Sequence, residues 1–132
     1  MEQNLQSKAM RIITDITEAN NLFQSYNGAT LQIAFYSENL KRIAIRIWIP
    51  DNEKIIYFVG IGCKSMNGHF KEKNTILSIT MTFDKVYETI VTLNDKNSDF
   101  KLSTYGGFSL AHGLESEFGP SFDGFINEIS PN

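Results

Sequence analysis

The residues whose types and spacing best suit binding chemistry lie in Arg42–Ile49, which reads Arg-Ile-Ala-Ile-Arg-Ile-Trp-Ile. The period-two alternation predicts a β-strand with its isoleucines on a buried face and its arginines and tryptophan on the other. A guanidinium beside aromatic rings is common at anion and protein recognition surfaces. We predict that this second face binds a ligand or partner through Tyr36, Arg42, Arg46, Trp48 and Phe58. The alternative is that a helix or the C-terminal segment covers this face and the arginines reach its rim.

A second group of chemically capable residues surrounds His112 and Glu115. Imidazole and carboxylate groups are suitable ligands for zinc or iron, and Glu117, Asp123 or the distant His69 could complete the set. The spacing matches no specific metal motif, however, and the chain has only two histidines. We therefore predict neither a metal ion nor a cofactor. A small metal-dependent or acid–base enzyme around His112 and the acidic C-terminal segment remains the alternative function.

Cys63 is the one cysteine and cannot form an internal disulfide, which favours a reducing compartment. It lies in an apolar, strand-like run, where burial usually raises the pKa of a thiol and makes it inert. The sequence contains neither a Gly-x-Ser-x-Gly nucleophile elbow nor a glycine-rich phosphate loop. These observations make catalysis the minor alternative.

Length and composition predict one domain over residues 1–132, because the chain is 42% hydrophobic and too short for two ordinary domains. A net charge of -3 gives little attraction for nucleic acid. Residues 1–9 lack the apolar stretch of a secretory signal, and the sequence has no run of about 18 apolar residues. We expect a cytoplasmic protein that binds neither nucleic acid nor membrane.

The N-terminal region predicts a helix over Leu5–Tyr26, because its apolar residues fall at helical spacing and Asn27-Gly28 is a suitable stop. A competing interpretation makes Met10–Ile16 a strand and begins a shorter helix at Thr17, which could serve as its N-cap.

Alternation then predicts a three-stranded antiparallel meander over Thr30–Tyr36, Arg42–Ile49 and Ile55–Cys63, with the arginine strand in the middle. Because a one-residue slip turns every side chain over, the apolar pattern favours an odd-length second loop. The expected register places Ile33 opposite Ile43, Leu31 opposite Ile45, Ile47 opposite Tyr57, Ile45 opposite Val59, Arg46 opposite Phe58 and Trp48 opposite Ile56.

Further strands are predicted at Ile76–Phe83 and Phe100–Ser109, the second interrupted by a bulge or bend at Gly106-Gly107. Asn67-Gly68 is typical of a two-residue hairpin, but the register then requires a bulge near His69–Asn74 or an excursion beyond the sheet edge. Lys85–Leu93 fits a strand or a helix, and we favour the strand.

The segment from Ala111 onward combines phenylalanines with acidic residues and contains no lysine or arginine. We predict an ordered loop with a short helical turn, and we expect Ala111–Ile129 to dock near the arginine face in its own chain or in a second copy. Aromatic burial should supply most of the stabilisation.

Together these patterns predict an α+β domain in which an N-terminal helix packs on one curved antiparallel sheet of about five or six meandering strands. The aromatic and basic face predicts a non-catalytic module that binds a small ligand, another protein or itself as a homodimer. The expected core comprises Ile12, Ile16, Phe23, Ile33, Ile43, Ile45, Ile47, Val59, Leu77, Ile79 and Met81.

Overall fold

The structure is a computed structural model, and it describes residues 10–39, 41–83 and 88–118. Strands dominate these residues, and helices are few. The elements in chain order are β1 (Arg11–Ile13), α1 (Ile16–Gln24), β2 (Ala29–Ser37), β3 (Arg42–Trp48), β4 (Lys54–Ile61), β5 (Cys63–Asn67), β6 (Lys71–Thr75), β7 (Leu77–Phe83), β8 (Thr89–Asp95), β9 (Lys101–Thr104), β10 (Phe108–Leu114) and α2 (Glu115–Phe118).

The strands form two antiparallel sheets rather than the single curved sheet that the sequence predicts. The larger sheet has the order β1-β10-β4-β3-β2-β6, and the smaller has the order β5-β9-β8-β7. The predicted meander of β2, β3 and β4 is confirmed, with β3 in the middle. Neither of the described helices is long and apolar enough to cross a membrane.

The main hydrophobic core lies between the two sheets. Both sheets contribute fully buried side chains to it, such as Ile45 and Phe58 from the larger sheet and Leu93 from the smaller. Helix α1 adds Phe23 to this core, and Tyr26, just after the helix, packs in the same core. This arrangement is a two-layer sandwich with a helix along one side.

Helix α1 is shorter than predicted and follows a strand, so the continuous helix over Leu5–Tyr26 is wrong for the part that the structure describes. β1 pairs with β10, and Asp15 begins the helix by accepting a hydrogen bond from the Glu18 amide at 2.9 Å. The competing interpretation was closer, although the N-cap is Asp15 rather than Thr17. The β-branched pair Ile12-Ile13 suits a strand, and its pairing partner lies about a hundred residues away in the chain.

The predicted register is wrong on both sides of β3. Ile45 lies opposite Phe58, and Arg46 lies opposite Tyr57. β4 buries apolar side chains on both faces. Its apolar residues therefore do not show which face points inward, and the register predicted from the alternation was wrong. On the other side a β-bulge between Ile33 and Phe35 shifts the pairing.

The bulge changes which residues share a face. Ile33 lies opposite Ile45 rather than Ile43, and both side chains face inward. After the extra residue, Tyr36 lies opposite Ile43 and Phe35 lies opposite Ala44. Tyr36 therefore moves to the inward face of the sheet, while Phe35 joins the outward one.

The chain changes sheet at two adjacent glycine corners. Gly62, at φ +70°, separates β4 from β5, and Gly106-Gly107 separates β9 from β10. The corners are joined because the Gly106 amide donates to Ile61 O at 2.7 Å and the Tyr105 amide donates to Gly62 O at 2.9 Å. The predicted interruption at Gly106-Gly107 is confirmed, and it is a change of sheet.

The predicted hairpin at Asn67-Gly68 is wrong, because the strands on either side belong to different sheets. β5 pairs with β9, whereas β6 pairs with β2. This crossing also explains why no hairpin register aligned the apolar faces. Thr89–Asp95 is a strand, as favoured, while residues 84–87 lie outside the described residues.

Seven of the eleven predicted core residues are buried, Ile16 and Ile33 are partly buried, and the other two are exposed. Ile12 is 40% exposed and Met81 is 48% exposed, because each lies at the margin of its sheet. Val59 is buried but belongs to a second cluster on the outward face of the larger sheet. Residues 111–114, predicted as loop, extend β10, and the helical turn follows at once as α2.

Candidate functional site

The outward face of the larger sheet carries the predicted arginine and tryptophan. We call this surface, formed around Ala44, Arg46, Trp48, Tyr57 and Val59, the outer face. The Arg46 guanidinium lies 4.6 Å from the centre of the Trp48 ring. The sequence correctly placed these two groups side by side.

Residues of the same chain occupy part of the outer face. Arg46 Nη2 donates to Glu115 Oε1 at 2.8 Å, and the Phe118 ring meets the Tyr57 ring edge-on at 4.8 Å. Phe118 is only 6% exposed. The described beginning of the C-terminal segment therefore packs on this face, while residues 119–129 lie outside the described residues.

The electrostatics of the outer face follow from this packing. Burial raises the pKa of Tyr57, an effect that the charge of Arg46 opposes and that of Glu115 reinforces. The Nε atoms of Arg42 and Arg46 are buried, and no group in the described part of the chain accepts a hydrogen bond from either.

The predicted binding residues are divided between three places. Arg42, Arg46 and Trp48 stay on β3. Phe58 is fully buried in the main core, where its ring stacks on Phe108 at 6.0 Å between centres. Tyr36 is 53% exposed and lies at the mouth of a cleft between the sheets.

This inter-sheet cleft has a volume of about 350 Å³. β2 and β3 of the larger sheet form one wall, β5 and β9 of the smaller sheet form the other, and Phe70 stands at the rim. The lining residues are Ile33, Tyr36, Ile43, Cys63, Lys64, Ser65, Met66, Phe70 and Leu102.

The described residues that line the inter-sheet cleft are mainly apolar and include no acid. Among these residues Lys64 alone carries a charge at neutral pH, because burial raises the pKa of the Cys63 thiol to about 11. Cys63 is thus protonated and a poor nucleophile, in line with the sequence prediction. The cleft can hold apolar groups but offers no evident general acid or base.

Two exposed aromatic side chains stand at the entrance of the inter-sheet cleft. Phe70 is 75% exposed and Tyr36 is 53% exposed. Phe70 is held by its backbone, because its carbonyl accepts a hydrogen bond from the Ile33 amide at 2.9 Å. Sequence analysis missed Phe70, Met66 and Leu102, because the cleft forms only when β5 pairs with the distant β9.

His112 occupies a different environment from its acidic neighbours in sequence. Its Nε2 lies 3.1 Å from the Tyr26 hydroxyl, which donates to the Lys54 carbonyl at 2.7 Å. Since that hydroxyl proton is committed to Lys54, Nε2–H of His112 is the donor between the two rings. Burial lowers the pKa of His112, and the positive charges of Lys54 and Arg11 lower it further. The negative charge of Glu117 acts in the opposite direction. Burial also raises the pKa of Tyr26 to about 12.

The acids of the proposed enzyme site have other partners. Glu115 bonds Arg46, and Glu117 Oε1 accepts from the Leu114 amide at 2.8 Å. Within residues 10–39, 41–83 and 88–118, no three His, Cys, Asp or Glu side chains lie close enough to hold a metal ion. His69 contacts Glu72 elsewhere, and Asp123 lies outside the described residues.

Comparison of the chain with protein-family models, with curated proteins and with solved structures finds no match. The geometry of the chain is therefore the basis for assigning a function.

Proposed function

We propose that the protein is a non-catalytic binding module that holds a small, mainly apolar ligand in the inter-sheet cleft. The observation that carries this proposal is the combination of an apolar lining with two exposed aromatic rings at one mouth. Exposing large apolar side chains to water is unfavourable, and a ligand seated between Tyr36 and Phe70 would relieve that cost.

The size and composition of the cleft support the same proposal. Ligand pockets commonly have volumes of about 300–1,000 Å³ and an apolar lining with few polar groups. The inter-sheet cleft, at about 350 Å³, is at the small end of this range. We therefore expect a compact ligand or a short alkyl chain rather than a large cofactor.

The proposal is tested by titrating octanol into the full chain and measuring its affinity by calorimetry. Ser65→Trp should block binding, because Ser65 lines the cleft and is itself exposed. Ser78→Trp is the matched control, since Ser78 is exposed on β7 of the same sheet and does not line the cleft. Equal binding by both variants, or none by the unmodified chain, would overturn the proposal.

A second candidate function is self-association through the outer face, favoured by Trp48 and Tyr57, two aromatic side chains of that face that stay partly exposed near the Arg46 guanidinium. A second copy that packs on these rings would bury them, and carboxylates in its C-terminal segment would approach the exposed part of the Arg46 side chain. We infer a homodimer. Arg42→Gln should weaken it, whereas the control Lys96→Gln, at an exposed turn position, should leave it intact. Sedimentation velocity showing a monomer at every protein concentration would contradict this.

A further inference from the structure

We propose that the ligand of the inter-sheet cleft is a short-chain amphiphile with an anionic headgroup, whose tail lies between the sheets and whose headgroup meets Lys64. This inference rests on the proposed function and adds the chemical class of the ligand. It follows from the charge of the described lining residues, which include one cation among apolar and neutral polar side chains and no acid.

Lys64 belongs to the lining, and its exposed side chain is long enough to reach an anion at the mouth of the cleft. The residue is exposed, and its Nζ lies 5.4 Å from the centre of the Tyr105 ring. No carboxylate in the described part of the chain forms an ion pair with it. A ring face holds an ammonium weakly, so the lysine can turn toward a carboxylate at little cost.

Neutral polar groups at the same mouth could complete the recognition of a headgroup. The hydroxyls of Tyr36 and Ser65 belong to the lining and are hydrogen-bond donors. A carboxylate matches this set, because it accepts hydrogen bonds from the hydroxyls and from the lysine ammonium.

The charged residues next to the lining do not reverse the positive charge that Lys64 gives it. Lys71 directly follows Phe70, and the Lys41 carbonyl accepts from the Cys63 amide at 3.0 Å, which brings Lys41 to the cleft wall. Glu72, the acid of β6, accepts a hydrogen bond from the His69 amide, and its carboxylate also contacts the His69 ring. Glu38, an exposed acid in the loop after β2, follows the lining residue Tyr36 by two positions.

The apolar part of the ligand has a defined place in this arrangement. Ile43 from the larger sheet and Leu102 from the smaller are buried lining residues and form the inner part of the cleft, and Met66 adds a flexible thioether. An alkyl chain inserted from the mouth would displace water from these groups while its headgroup stays among the hydroxyls and Lys64. A chain with a cation at its end would instead meet Lys64 as a like charge.

The proposal is tested by comparing three probes with the same alkyl chain on the full protein: octanoate, octanol and octyltrimethylammonium. Octanoate should bind about fivefold more tightly than octanol, as expected for a partly exposed ion pair, and the cationic probe should bind most weakly. The preference for octanoate should fall as ionic strength rises.

Substitutions at lysine assign the preference to one side chain. Lys64→Gln should remove the advantage of octanoate over octanol, Lys64→Arg should keep it, and the control Lys96→Gln should leave it unchanged. Equal affinity of the unmodified protein for octanoate and octanol, or a preference that survives Lys64→Gln, would overturn this inference and leave the apolar cleft intact as the binding site. Failure of all three probes to bind would overturn both this inference and the proposed function.

Discussion

The Asn20 side chain forms the backbone hydrogen bonds with β7 that a neighbouring strand would otherwise form. Its amide nitrogen donates to Ile79 O at 2.9 Å, and its carbonyl oxygen accepts from the Ile79 amide at 2.7 Å. One side chain therefore satisfies both backbone polar groups of Ile79 at the edge of the smaller sheet. Unpaired groups at such an edge favour association with other chains, and a helix that supplies partners protects the edge.

Asn20→Ala should lower the free energy of unfolding by about 1–3 kcal/mol, because it leaves a partly buried donor and acceptor at Ile79 without partners. Asn21→Ala is the matched control, since Asn21 is the next residue of α1 and is exposed. Its effect should stay within about 0.5 kcal/mol. Chemical denaturation measures both, and equal effects of the two changes would show that the Ile79 bonds contribute nothing specific.

The His112–Tyr26 pair makes stability depend on pH. Because burial and the charges of Lys54 and Arg11 lower the pKa of His112 in the folded protein, the unfolded chain binds more protons once the pH falls toward the ordinary histidine value of 6.5. Stability should therefore be full above that pH and decline as the pH falls below it. Thermal unfolding between neutral and mildly acidic pH measures this slope.

His112→Gln should flatten that pH dependence, since glutamine cannot titrate in this range. His69→Gln is the control, because the side chain of His69 is 86% exposed. A slope that persists in His112→Gln would assign the acid sensitivity to another group.

At the scale of single elements, β4 explains where sequence reasoning succeeds and fails. The alternation in β2, β3 and β7 was sufficient to predict those strands, because each faces a core with one side over most of its length. β4 is buried on both faces, against the main core through Phe58 and against the second cluster through Val59. Periodicity then gives no information on register, and the predicted pairing of Arg46 with Phe58 failed for this reason.

Helix α2 is the element that fixes the C-terminal segment to the outer face. Phe118→Ala should lower the free energy of unfolding by about 3–5 kcal/mol, the usual cost of removing a buried ring. Glu115→Gln should cost no more than about 1 kcal/mol, because the Glu115 side chain is largely exposed and water screens its ion pair with Arg46. Urea denaturation of both variants compares ring burial with charge pairing.

The control for this comparison is Glu53→Gln, an exposed acid without a described partner on the loop before β4. Removal of the chain after Gly113 should destabilise the protein at least as much as Phe118→Ala. If the truncated protein unfolds at the same temperature as the full chain, α2 contributes no stability and its packing on Tyr57 is incidental.

At the scale of the whole molecule, the inter-sheet cleft is a product of chain crossings that local patterns do not encode. The corners at Gly62 and Gly106-Gly107 move the chain between sheets, and the segment after Asn67 returns it from the smaller sheet to the larger. Glycine doublets indicate that a bend is present but not which sheet the next strand joins. The sequence thus placed Tyr36 on the wrong face of the sheet. The bulge in β2 turns this residue toward the inter-sheet cleft, which the sequence pattern could not predict.

The central claim is that the space between the sheets, and not the outer face, receives the ligand. Intermolecular nuclear Overhauser effects between bound octanol and the methyl groups of the protein test it most directly. We expect contacts from the alkyl chain to Ile43 and Leu102, which line the inter-sheet cleft. Contacts to Ala44 and Val59, which belong to the cluster on the outer face, would contradict the account.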